Sequence, residues 1–276
     1  MLIKLKCAKD FKIKNVDKNK IREMLKYSIP LIPCDISWWI MNVSDRTIVS
    51  IVLGTTSNAI LSVANKIPNI CQNIFNVFHL SWQENAIETL KDDDKEKYYV
   101  HIINNMLQII TSICIVILSM NFFIFEYIFT EEYYTGYYQV PILIVSIIAS
   151  MLAQFLGSLY IANMESKKSG KTTILAAILN IFVHLTLIRY IKLYAATIST
   201  LISYIFLFII RYVDINKKIK LKFERKSVIL IICLSYFIIF SYLNINYINY
   251  INILIAILIF IYTNKEYITK IMKRNK

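Results

Sequence analysis

Charged and amide side chains recur at helical spacing inside long apolar segments, a pattern suited to guiding a polar or anionic solute through a membrane. In residues 58–83 the polar positions step alternately by four and three: Asn58, Ser62, Asn65, Asn69, Gln72, Asn76, His79 and Gln83. Side chains three and four apart stack on one side of a helix, so these form a stripe, which Lys66 and Asn73 widen. Residues 28–53 carry a second set on one face, Asp35, Trp38, Asn42, Asp45 and Arg46. Pro30 and Pro33 near its start, and Pro68 beside Lys66, each remove a backbone donor and are expected to bend or break their helices. Lipid satisfies none of these groups. The stripe therefore serves either hydrogen bonding between helices or the wall of a water-filled cavity. Its length, and the lysine within it, favour the cavity.

The energetics sharpen this reading. One charge at the bilayer centre costs about 2.5–3.5 kcal/mol on insertion scales, so Asp35, Asp45, Arg46 and Lys66 facing lipid would cost on the order of 10 kcal/mol. They are expected to point inward, as charges on a transport path do. Arg46 lies seven residues before Leu53, and Lys66 lies eight beyond Asn58. At about 1.5 Å per residue, both sit ~10–12 Å from the same end of an antiparallel hairpin. Asp45 is expected to pair with one of them, leaving a positive charge over. The outcome is either a salt bridge that fastens the hairpin or an anion site for a phosphate-bearing substrate, because Arg and Lys bind phosphate well.

These positions require membrane-spanning elements to hold them, and eight apolar segments are expected: 28–53, 58–83, 101–125, 140–162, 172–188, 193–210, 227–243 and 247–263. A span needs about 20 residues. Of 31 Lys and Arg, 27 fall in the alternate segments 1–27, 84–100, 163–171, 211–226 and 264–276, while 54–57, 126–139 and 244–246 hold none. The turn at 189–192 breaks the pattern with Arg189 and Lys192. Positive charge stays on the cytoplasmic side, which predicts a multi-pass protein of the inner or plasma membrane with both termini cytoplasmic. The fold class expected is all-α and polytopic. Tyr133, Tyr134, Tyr137 and Tyr138 suit an interfacial aromatic belt.

Composition narrows the function classes. Apolar residues make up 57% of the chain, with four Gly and four Pro, which is poor in turn-formers for a soluble domain. The net charge of +13 sits in short segments beside spans, so it is read as setting topology and touching anionic lipid headgroups, not nucleic acid. No cleavable signal peptide is expected, because the first 26 residues are too polar, and the first span serves as its own insertion signal. Cys7, Cys34, Cys71, Cys114 and Cys233 are scattered, and are read as packing residues and not as disulfides or metal ligands. No cofactor or metal is implied. Lys168-Ser169-Gly170-Lys171-Thr172-Thr173 resembles the end of a phosphate-binding loop, but Glu165 stands where its first glycine belongs, and the stretch is read as a basic cytoplasmic turn. His184 is read as a packed, hydrogen-bonded core residue.

A family resemblance starts at the same residues. The run Tyr27-Ser28-Ile29-Pro30-Leu31-Ile32-Pro33, then Ser44-Asp45-Arg46, Leu53-Gly54 and Ala64-Asn65-Lys66-Ile67-Pro68, with Trp82 and Glu84 beyond, resembles the polysaccharide (O-antigen-type) flippases. These belong to the multidrug/oligosaccharidyl-lipid/polysaccharide exporter superfamily. The match covers residues 24–90, and the number and spacing of later spans agree with it. The resemblance implies the second lobe plus two extra helices of a fourteen-span exporter: a cytoplasmic linker over 1–26, a six-helix lobe over 27–212 and two further helices over 213–276. It implies a transporter component, not an enzyme, that flips undecaprenyl-pyrophosphate-linked oligosaccharide for cell-surface polysaccharide synthesis. Arg46, Lys66, Asp45, Asp35, Asn42, Asn65, Asn69, Asn73 and Asn76 would be its substrate-binding residues. Its partners would be the lipid-linked oligosaccharide, membrane lipids, and either a separate first lobe or a second copy. The first lobe itself is not present in the chain, so the expectation is a shortened product or a functional half.

Three other classes compete. A membrane-embedded polymerase or glycosyltransferase needs a sizeable loop for its catalytic residues, and the longest exterior segment, 126–139, has only 14 residues. A drug or cation antiporter half favours a carboxylate-dominated cavity, whereas Arg46 and Lys66 stand beside Asp45 here. An assembly subunit with no transport of its own is the third.

Overall fold

The computed structural model describes residues 17–274, and Cys7 with the basic residues before Asp17 lies outside the described residues. Ten α-helices and two short 3-10 segments account for the described fold, with no strand among the described residues. They are α1 (Lys18–Ser28), α2 (Leu31–Leu53), α3 (Thr55–Glu88), α4 (Lys95–Ser119), α5 (Asn121–Tyr127), α6 (Val140–Ala162), α7 (Ser166–Ile191), α8 (Tyr194–Asn216), α9 (Arg225–Leu243) and α10 (Asn246–Arg274). The 3-10 segments are Thr89–Lys91 and Glu131–Gln139. Of the expected linker, the described part forms α1, which Asp17 caps by accepting from the Asn19 backbone N–H at 2.9 Å.

Six helical stretches are long and apolar enough to cross a membrane: Lys95–Tyr127, Glu131–Ala162, Ser166–Ile191, Tyr194–Asn216, Arg225–Leu243 and Tyr247–Lys270. They make the chain an all-helical membrane protein. Large apolar side chains face outward from them, including Ile178 and Phe182 on α7 and Leu254 and Leu258 on α10, as lipid contact requires. Helices α2 and α3 have 23 and 34 residues, enough length to span, but their polar stripes keep them out of this apolar set. The proline expectations divide. Pro30 sits between α1 and α2, and Pro33 falls in the first turn of α2, where a missing N–H costs nothing. Pro68 lies buried inside α3, which continues through it unbroken. Gly54 joins α2 to α3 at φ +91°, a backbone region open to glycine.

Helix α6 is the hub. It packs against α3, α4 and α8, while α7 fills the space between α2 and α8. Its buried residues run all the way round, from Val140 to Ala162, as a central helix demands. On α3, Ala64, Ile67, Cys71, Phe75, Trp82 and Ala86 join its core, while Leu61 packs with Val49, Ile188, Ala195 and Ala196. The Trp82 ring stacks on Phe155 at 4.0 Å, and its Nε1–H donates to the Phe155 carbonyl at 3.1 Å. Cys71 and Cys114, far apart in sequence, meet in this core with sulfurs 3.3 Å apart, both as free thiols.

Two segments expected to be loops are structural. Tyr137 is buried, edge-on to Phe125, and its hydroxyl donates to the Ser241 carbonyl at 2.6 Å, so it pins the 131–139 segment to α9 instead of sitting in an interfacial belt. The 217–224 connection is held by Asn104 of α4. Its amide donates to the Lys222 carbonyl, and its Oδ1 accepts from the Glu224 backbone N–H and the Ser227 hydroxyl, each at 2.8 Å. Replacing Asn104 by Leu removes all three bonds and strands the buried Ser227 hydroxyl, at about 1–3 kcal/mol for that unsatisfied group. Thermal unfolding in detergent should show a lower melting temperature for Asn104→Leu and an unchanged one for Asn105→Leu, whose amide meets only the exposed His101.

Candidate functional site

Packing divides the polar residues of α2 and α3 into a buried seam and an open flank. On α2, Cys34, Ser37, Met41, Asp45 and Val49 turn inward, while Asp35, Asn42 and Arg46 are exposed. On α3, Asn65 is half-buried, and Lys66, Asn69, Asn73 and Asn76 are exposed. The adjoining strip of α3 exposes Ile70, Ile74 and Val77, an apolar surface suited to lipid. One side of this hairpin is therefore greasy and the other wet. The exposed amides lean on their own helices: Asn42 donates to the Trp38 carbonyl, Asn65 to the Leu61 carbonyl, and Gln72 to Asn76 Oδ1.

Two polar cavities open along α2. The first, about 270 Å³ and toward the Gly54 turn, is lined by Asn42, Asp45 and Arg46, by Asn65 and Asn69, and by Thr197 and Thr200 of α8. It unites five of the nine expected site residues. The second, about 430 Å³ and toward the start of α2, is lined by Asp35 and Trp38, by His79 and Gln83, by Gln154 and Ser158, and by Arg211. Asp35 thus belongs to a different cavity from Arg46. Lys66, Asn73 and Asn76 line neither and stand on the exposed flank of α3.

Asp45 pairs with neither Arg46 nor Lys66. One carboxylate oxygen meets His184 Nδ1 at 2.8 Å, and the other accepts from the Thr200 hydroxyl. The reason is rotation: Asp45 falls on the buried face of α2, one residue around from Arg46, and that face docks on α7 and α8. His184 is fully buried there, as a hydrogen-bonded core residue should be. Among the described residues Arg46 and Lys66 make no ion pair. The hairpin is therefore not fastened by a salt bridge between its own charges. Both cations are left available to a ligand.

Arg211 lines the second cavity although no sequence signal singles it out as a site residue. It was expected in a cytoplasmic loop, yet α8 runs on to Asn216 and buries Arg211 to 1% exposure. The expected basic turn around Lys168 is the first part of α7, and its Ser169, Thr172 and Thr173 face Arg211. The signal in the row Ser199, Ser203, Leu207, Arg211, Ile215, where buried positions recur every four residues beyond the apolar run, is one of burial and not of a site.

A double-mutant cycle tests the partner assignment. Asp45→Ala and His184→Ala should couple by about 0.5–3 kcal/mol in unfolding free energy, whereas Asp45→Ala and Arg46→Ala should be additive within about 0.5 kcal/mol. No family model, curated protein or solved structure matches the chain, so a function for this flank has to be argued from its chemistry.

Proposed function

We propose that the chain is one wall of a transporter for a lipid-linked oligosaccharide, of the polysaccharide flippase type, carrying its pyrophosphate past Arg46 and Lys66. The observation that carries this reading is the open polar flank of α2 and α3. Two cations there make no ion pair among the described residues, and a row of amides continues along the same helix pair. Amides hydrogen-bond sugar hydroxyls in either direction, and Arg and Lys neutralise a pyrophosphate. The apolar flank beside it leaves a lipid tail in contact with the bilayer.

In this reading α2 and α3 also cross the membrane, giving eight spans. Their lengths, about 35 and 50 Å at 1.5 Å per residue, are sufficient. The polar flank that lowers their hydropathy then faces the translocation path. The basic segments between alternate spans support a cytoplasmic position for both termini. Reporter fusions at Tyr134 and Asn246 should read outside, and at Lys95 and Lys220 inside. An inversion at any of them contradicts the topology.

A path between two walls needs the second wall, because alternating access is largely one bundle rocking against another. Residues 1–276 expressed alone should therefore not restore glycan export to a flippase-deficient strain. Expressed with a six-span first lobe, they should. In that assembly Arg46→Gln and Lys66→Gln should each abolish export while the protein stays in the membrane. Normal export by both variants would remove the charges from the mechanism.

A further inference from the structure

The second cavity contains a feature the transport reading does not use. Arg211 is buried to 1% exposure, and no carboxylate among the described residues pairs with it. Its neighbours are neutral. Nε donates to the Thr172 hydroxyl at 3.2 Å and Nη1 to the Ala153 carbonyl at 2.7 Å. Nη2 donates to the Ser169 carbonyl at 3.3 Å and the Thr173 hydroxyl at 2.8 Å. A guanidinium has five N–H groups. The remaining one, on Nη1, makes no hydrogen bond to an oxygen or nitrogen among the described residues, and the neutral Cys34 thiol lies beside the guanidinium in the cavity wall. Nearby acids are otherwise placed. Asp214, one turn further along α8, holds Lys168 and the Tyr160 hydroxyl at 3.0 Å each. Asp35 lines the cavity but forms no ion pair with Arg211.

The protein has made room at that free donor. Gly157 forms the cavity wall against the guanidinium, and a Cβ there would stand 2.5 Å from Nη1. Alongside it, Ser158 bonds His79 Nε2 at 3.1 Å, placing a hydroxyl and an imidazole at the same opening. A buried charge without a counter-ion is costly, and neutral acceptors orient it without neutralising it. A fork of donors with one position open, in a cavity of about 430 Å³, fits an oxyanion.

We propose that this cavity is a second, separate binding site for a phosphate-bearing anion, held by Arg211 at the bundle end that carries the basic segments 163–171 and 217–226. The anion is either a soluble phosphate or a lipid headgroup, and the site stands whether or not the chain transports glycans. The test uses the purified chain in a neutral detergent, with its melting temperature as readout. One arm adds sodium pyrophosphate at constant ionic strength. The other adds phosphatidylglycerol, with phosphatidylcholine as the control. Ligand bound only by the folded state raises the melting temperature. A rise of several degrees is expected in at least one arm, and the arm identifies the source. Measured in an Arg46→Gln/Lys66→Gln background, so that the flank of α2 and α3 contributes nothing, the response should be lost in Arg211→Gln and in Gly157→Ala, whose methyl displaces Nη1, and kept in Asn105→Leu. Gly157→Ala carries the comparison if Arg211→Gln does not fold. No rise in either arm, or a rise that survives both variants, overturns the site and leaves Arg211 as a staple between α6, α7 and α8.

Discussion

A charge or amide within a bilayer must find a partner in the protein or reach water, and the layout of this bundle follows from how each polar group meets that demand. Asp45 is satisfied inside: His184 and Thr200 take both of its oxygens, which fixes the rotation of α2 against α7 and α8. With α2 fixed, Arg46 cannot share that interior. The same rotation turns Asn42 and Arg46 to the open flank and sets them opposite Asn65 and Asn69 of α3. One buried carboxylate thus determines which residues remain free for a ligand.

The rest of the fold supports that hairpin. The Trp82–Phe155 stack and the Cys71–Cys114 contact hold α3 against α6 and α4. Helix α6 packs against both α3 and α8, and so sets the spacing between two walls of the first cavity. Helices α9 and α10 pack on the far side, against α4, where Asn104 and Tyr137 anchor their connections. They do not touch either cavity.

The helices and their apolar lengths were legible in sequence, because a run of apolar residues at the length of a span leaves few alternatives. The boundary at 140–162 matches α6 to the residue, since Gln139 and Asn163 flank a run that is apolar but for Ser146, Ser150, Gln154 and Ser158 and holds no charge. The polar stripe on α3 was legible too, from its steps of four and three. Rotation and partner choice were not. Whether Asp45 meets Arg46 or His184 depends on which face of α2 docks, and His184 lies 139 positions away. Arg211 was misplaced for a related reason: a basic residue at the end of an apolar run looks like a loop, unless the hydroxyls of another helix are known to wait for it. Pro68 looked like a helix break, yet the surrounding packing carries α3 straight through.

Transport along α2 and α3 requires their polar flank to face water while the neighbouring apolar flank faces lipid. Single cysteines at Asn69 and Asn76 on one side, and at Ile70 and Val77 on the other, can be treated in native membranes with a membrane-impermeant maleimide, against the unsubstituted chain as background. Labelling is expected at Asn69 and Asn76, with protection at Ile70 and Val77. Equal labelling on both flanks, or labelling confined to Ile70 and Val77, would contradict that arrangement.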